Sequence, residues 1–230
     1  MKKLGLIGGT GPESTIPYYR NIVFGVKHKV GKEYFPNITI ESLNVFEVLN
    51  KCAIGDYMGL AEYMAAGISC LAAAGCDFAA FTGITPHIVF DEVQKKSAIP
   101  LVSMIDTTCN KAKCCQYKKI GLLGTKATMT GSFFQKPFEA SGIEIITPEC
   151  FAMEYINDKI SRELENGIVL DDTRQQFIHI IEDMVDNDSI DAVVLGCTEI
   201  PLLFQSTNLP IPVLDAMEIH METLIDMILK

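Results

Sequence analysis

Short apolar or β-branched runs alternate with segments of helical period along the whole chain. Leu4 to Ile7 reads as a strand, and Glu13 to Val26 as a helix with Ile16, Tyr19, Ile22, Val23 and Val26 on one side. Ile38 to Leu43 is the next strand. Leu60, Met64, Ile68 and Leu71 mark a helix, and Phe78 to Phe81 a short strand after it. Leu101 to Ser103, Ile120 to Leu123, Ile143 to Ile146, Ala192 to Leu195 and Val213 to Leu214 are further strands. Phe177 to Val185 and Ile219 to Leu229 read as helices. Strand–helix alternation of this kind predicts an α/β protein with parallel sheets flanked by helices.

An internal repeat refines that expectation. "LGLIGGTGPESTIPYY" from Leu4 resembles "IGLLGTKATMTGSFFQ" from Ile120, "DFAAFTGITP" from Asp77 resembles "DAVVLGCTEI" from Asp191, and "IPLV" at Ile99 matches "IPVL" at Ile211. The offsets are 116, 114 and 112 residues, so three blocks recur in one order at nearly one spacing. This predicts two pseudo-symmetric Rossmann-like lobes, one over residues 1–97 plus 215–230 and the other over 98–214. The active site is expected in the cleft between them, where the C-terminal ends of parallel strands gather ligands.

The composition narrows the function classes. With 19 basic and 29 acidic residues the 230-residue chain carries −10, which argues against a phosphate backbone as partner, and the absence of Trp disfavours a base-stacking surface. The apolar runs are too short to span a bilayer, and glycines interrupt the stretch after Met1-Lys2-Lys3, so no signal peptide is expected. These features predict a cytoplasmic protein with no nucleic-acid or membrane partner. None of the eight cysteines forms a C-x-x-C pair and no Cys/His cluster has zinc spacing, so no metal site is expected. Most of them are expected to be small buried hydrophobes in a reducing compartment.

The candidate chemistry lies in loops after strands. Gly8-Gly9-Thr10-Gly11 and Thr82-Gly83-Ile84-Thr85 belong to the first repeat, Gly124-Thr125-Lys126 and Gly196-Cys197-Thr198-Glu199 to the second. Glycine permits close backbone approach, and helix starts offer free N–H groups to an anion. Thr10, Ser14, Thr15, Thr85, Thr125 and Thr198 add hydroxyls there, although N-capping alone explains many a Ser or Thr at such a position. Gly83, Ile84 and Glu199 complete the expected substrate-binding set. A dinucleotide loop fails because Ser14 stands where the third glycine belongs, and no G-K-[ST] follows for a P-loop. Cys197 is read as opening a helix, where the dipole would lower its pKa and suit it to proton transfer or nucleophilic attack; inert packing is the alternative. His87 and His220 are as readily structural as functional.

These residues also carry a family resemblance. "GGTGPEST…YY", "T-P-H" at Thr85 to His87, "GT…TM" at Gly124 to Met129, "GCTEI" at Gly196 to Ile200 and "D-x-x-x-I-H" at Asp215 to His220 resemble the aspartate/glutamate racemase family nearly end to end. The resemblance implies a cofactor-independent isomerase acting on a small amino acid or carboxylate, in which paired residues, typically cysteines, take and return the α-proton. It implies that Cys197 is one of them and that the protein forms a homodimer. The other position departs from the pattern. Both the repeat and the family motif place it at Gly83, which cannot transfer a proton, with Ile84 where an Asn is usual. Some racemases of the family carry Thr at the first position, so Thr82 is the second catalytic candidate. Arylmalonate decarboxylase, a relative, resembles the arrangement of one cysteine facing a glycine, which keeps a single-cysteine lyase or isomerase open, as well as a non-catalytic ligand-binding relative. Lys51, Lys126 and Arg162 are candidates for holding a distal carboxylate.

Overall fold

The computed structural model describes residues 1–31, 33–205, 207 and 209–230, without the side chains of residues 12 and 13. The chain divides into two units, Met1–Met104 with His220–Lys230, and Ile105–Ile219. In the first, β1 (Leu4–Gly8) is buried along its whole length. It is followed by α1 (Pro12–Val30), β2 (Ile38–Ser42), α2 (Val45–Ala53), α3 (Tyr57–Ala73), β3 (Phe78–Phe81), a 3-10 turn Thr85–Val89, α4 (Phe90–Lys96) and β4 (Leu101–Val102). The second unit takes up α5 (Met104–Cys114), then β5 (Lys119–Gly124), α6 (Lys126–Thr130), α7 (Ser132–Glu139), β6 (Glu144–Ile146) and α8 (Cys150–Arg162). A 3-10 turn Leu164–Asn166, α9 (Asp171–Asp188), β7 (Ala192–Gly196), a 3-10 turn Ile200–Phe204 and β8 (Val213–Asp215) come next. The closing helix α10 (Ala216–Leu229) starts in the second unit and returns the chain to the first. Among the described residues no helix is long and apolar enough to cross a membrane.

Each unit holds one four-stranded, all-parallel sheet, ordered β2-β1-β3-β4 and β6-β5-β7-β8. The two sheets share order and register. Leu4 pairs with Phe78 as Ile120 pairs with Ala192, and Ala79 pairs with Leu101 as Val193 pairs with Val213, which are the residues the sequence repeat equates. The polar fastenings repeat as well. Asp77 accepts the Lys3 N–H at 2.6 Å and Asp191 the Lys118 and Lys119 N–H groups at 2.6 and 2.9 Å, closing the same strand start in each sheet. Continuing the register past β3 and β7 makes Thr82 the counterpart of Gly196, and Gly83 the counterpart of Cys197.

Two expectations need correction. The buried side of α1 is Tyr18, Ile22, Val23 and Val26, whereas Ile16 and Tyr19 are exposed. The helix is apolar over more than one face, and the core takes Tyr18 because its hydroxyl finds a buried partner, His220. The cysteines are not mostly buried: Cys76, Cys109 and Cys197 are, Cys52 is half-buried, and Cys70, Cys114, Cys115 and Cys150 are exposed.

Candidate active site

In the second unit the site is built from the ends of β5 and β7. Gly196 pairs with Gly124, and a Cβ on Gly196 would meet Leu122 Cδ1 at 2.8 Å and Leu123 O at 3.0 Å. Only glycine lets these strand ends approach so closely. The chain then turns through Cys197, Thr198 and Glu199 into the 3-10 turn. Cys197 Sγ donates to Glu199 Oε2 at 3.0 Å, and Thr198 Oγ1 donates to the same oxygen at 2.7 Å. Cys197 and Glu199 are both buried. Burial first, then the Glu199 charge and this hydrogen bond, push the thiol well above its ordinary pKa. The expected lowering by a helix dipole is thus overturned: the element after Cys197 is a short 3-10 turn that begins at Ile200, and a carboxylate faces the sulfur. Glu165, which no sequence signal marked, adds to the rise, and its own carboxyl is raised by partial desolvation and by Glu199. Thr125 sits at the end of β5 as the N-cap of α6, accepting from the Thr128 N–H at 3.3 Å.

In the first unit the corresponding strand ends carry hydroxyls in place of a thiol. Ser14 Oγ donates to Gly11 O at 2.8 Å and Thr15 Oγ1 to the same carbonyl at 3.0 Å, while Thr15 also accepts from the Gly9 N–H. Thr82 is fully buried; its hydroxyl donates to Ile7 O at 3.1 Å and lies 3.2 Å from Thr15 Oγ1. Gly83 and Ile84 come next, and Thr85 opens the 3-10 turn. Buried His87 clamps this loop. Its Nδ1–H faces Gly83 O at 3.0 Å and Ile84 O at 3.1 Å, so Nε2 is the ring's acceptor and takes the Met104 N–H at 3.1 Å. Burial lowers the pKa of His87 to about 4, which keeps the imidazole neutral. His220 is likewise neutral, at about 3, with Nδ1 accepting from the Tyr18 hydroxyl at 2.7 Å and Nε2–H donating to Val102 O at 3.2 Å.

A family model described as Asp/Glu/hydantoin racemase matches residues 7–224. The chain belongs to that family. It is 34% identical, over the full length of both chains, to a Yersinia pestis protein provisionally described as an Asp/Glu racemase, with a TM-score of 0.93. It is also 34% identical, again over both full chains, to an aspartate racemase homologue from Pyrococcus horikoshii, with a TM-score of 0.88. The broad specificity amino-acid racemase RacX of Bacillus subtilis is 22% identical over 93% of this chain and 92% of its own.

The Cys197–Glu199 pair sets a neutral thiol against a carboxylate oxygen. The three basic candidates are each committed to an ion pair within their own unit: Lys51 with Asp56 at 3.2 Å, Lys126 with Glu154, and Arg162 with Asp158 at 2.7 Å. Of the "D-x-x-x-I-H" pair, Asp215 caps α10 by accepting the Met217 and Glu218 N–H groups at 2.9 and 3.1 Å, and His220 is the buried partner of Tyr18.

Proposed function

We propose that the protein is a PLP-independent racemase or epimerase of a small acidic amino acid, aspartate or glutamate, with Cys197 as the group that exchanges the α-proton. The observation that carries this reading is the 3.0 Å contact between Cys197 Sγ and Glu199 Oε2. A neutral thiol is not a base. Passing its proton to Glu199 leaves a thiolate whose raised pKa makes it a stronger base toward a carbon acid. The thiolate takes the α-proton, the C–H electron pair moves onto the α-carbon and its carboxylate, and the thiol returns a proton to that carbon.

Inversion requires a proton on the opposite face of the carbanion. The counterpart of Cys197 by sheet register is Gly83, which carries none, so the proton on that face is assigned to a water molecule, whose hydroxide is then neutralised by the Cys197 thiol. Thr82 is assigned to positioning, because its hydroxyl already donates to Ile7 O and tethers the end of β3 to β1. This same glycine favours a second reading, a single-cysteine lyase or isomerase on a small carboxylate, where loss of carbon dioxide makes the carbanion and one proton donor suffices.

Incubation of the purified protein with L- and D-aspartate and glutamate in deuterated water tests both readings. Exchange at the α-carbon with inversion supports the racemase. Exchange with retention supports a one-base enzyme. No exchange on any of the four, with deuterium-labelled product from a malonate-type acid, moves the assignment to the lyase.

A further inference from the structure

The second unit carries a groove that none of the loops described above lines. It lies between the start of α8 and one face of α9, wholly within that unit, and encloses about 890 Å³. Its floor is apolar. Ile180 and Met184 of α9 are buried there, and Tyr155 of α8 is half-buried. At its edge Phe151 is 87% exposed, more than any other large hydrophobic side chain among the described residues. A single exposed apolar residue is ordinary, but an aromatic ring in water at the mouth of an apolar groove marks a contact surface.

Charge decides what fits. The lining includes Glu149, Asp183 and Asp188 and no Lys, Arg or His. Neither Glu149 nor Asp183 is in an ion pair among the described residues. Nearby cations are engaged elsewhere. Lys119 Nζ donates to the Asp188 backbone carbonyl at 2.9 Å and stands 3.9 Å from Glu144, while Lys159, 5.5 Å from the Tyr155 ring centre, is bonded to Glu163. A second copy presenting the same groove would set these carboxylates against themselves, which is repulsive. The rim therefore calls for a positively charged partner.

Shape decides the partner's form. The α9 side of the groove runs from Gln176 to Asp188 as one stripe, about 18 Å along the helix axis, the length of a helix of about 12 residues. We propose that the groove between α8 and α9 docks a basic amphipathic helix of another protein. Its apolar stripe covers Ile180, Met184 and Phe151, and its Lys or Arg side chains meet Glu149 and Asp183. This surface is independent of the α-proton chemistry and of the substrate.

Fluorescence anisotropy with three labelled synthetic peptides of about 14 residues tests the proposal. The first places leucines at helical i, i+3, i+4, i+7 spacing with lysines between them. The second has the same composition with the leucines scattered around the helix, and the third replaces the lysines with glutamates. The first should bind wild type, and the other two at least about tenfold more weakly. Asp183→Lys should weaken the first peptide about tenfold and Phe151→Ala about fivefold. Glu62→Lys, on the exposed side of α3, changes the net charge equally away from the groove and should leave affinity within about twofold. Equal losses from Asp183→Lys and Glu62→Lys, or a scattered peptide that binds as tightly as the first, would reduce the effect to the general attraction of a −10 chain and overturn the groove. Wild type that does not bind the first peptide overturns it as well. Concentration-dependent self-association that Phe151→Ala abolishes would put a second copy in the groove and overturn the foreign partner.

Discussion

Glu199 Oε2 accepts the Cys197 thiol at 3.0 Å, and burial together with the Glu199 charge keeps the sulfur protonated at neutral pH. This contact separates the thiol from the exposed cysteines, none of which has a carboxylate hydrogen bond among the described residues. Cys197→Ser conserves size but offers a far weaker acid, so α-proton exchange should fall about 100-fold or more while the protein stays folded. Circular dichroism together with deuterium incorporation by mass spectrometry checks both halves.

Glu199→Gln removes the charge that adds to burial in raising the thiol and, in the proposed mechanism, the base that receives its proton. The Cys197 pKa should move down, so the pH profile of its alkylation by iodoacetamide shifts to lower pH, while turnover falls. In wild type at neutral pH, exposed Cys70, Cys114, Cys115 and Cys150 should be labelled before buried Cys197. A profile unmoved by Glu199→Gln would separate the carboxylate from the thiol's chemistry.

At the counterpart position, Gly83→Cys should supply a second thiol. The backbone of Gly83 lies outside the left-handed region, and the closest atom to a new Cβ is Thr10 Oγ1, so only a shift of a few tenths of an ångström is required. Racemisation of aspartate or glutamate, monitored by chiral chromatography, should appear or rise. Thr82→Ala should cost about 1 kcal/mol of stability through its lost hydrogen bond to Ile7 O, with a change in rate of only a few-fold. A folded Gly83→Cys protein without gain, alongside a folded but inactive Thr82→Ala protein, would return the second catalytic role to Thr82.

The buried imidazoles predict an acid limb in the stability profile. The folded pKa of His87, about 4, lies below the ordinary 6.5, so between these values the unfolded chain binds a proton that the folded chain does not. Stability is therefore fully present above about pH 6.5 and is lost as pH falls toward 4. His87→Asn retains a donor for the Gly83 and Ile84 carbonyls but removes the ring nitrogen that accepts the Met104 N–H. It should lower stability at pH 7 by about 1–3 kcal/mol and make the acid limb shallower, as read from urea midpoints between pH 4 and 8.

Because the proposed chemistry runs through side chains of the chain alone, activity should survive dialysis against EDTA and treatment with hydroxylamine. Loss of turnover on chelation, restored by a divalent cation, would place a metal in the reaction.

Much of the fold was legible in the sequence because its determinants are local. An apolar run such as Phe78–Phe81 bounded by helical segments reads as a buried strand wherever it packs. A repeated order of such runs fixes a repeated sheet, so the correspondence of Gly83 with Cys197 was available before any coordinate. Helices α2 and α8 are not among the elements the sequence pattern predicts; Val48 is the buried residue of α2, and Ile156 and Ile160 those of α8.

What only the tertiary structure decided is the state of each polar group, because hydrogen-bond partners lie far apart along the chain. Thr82 is tied to Ile7 across 75 residues and Tyr18 to His220 across 202. Those bonds tether Thr82 at the end of β3, give His220 its buried partner and chose the buried face of α1. The charge of Cys197 was likewise beyond the motif. Glu199 is two residues away in sequence, but only the bend after Gly196 and the burial around it bring carboxylate to sulfur, and desolvation, which no local pattern encodes, sets the thiol's proton. Thr10 Oγ1, shielded from solvent without a hydrogen-bond partner among the described residues, owes that state to packing that no local pattern encodes.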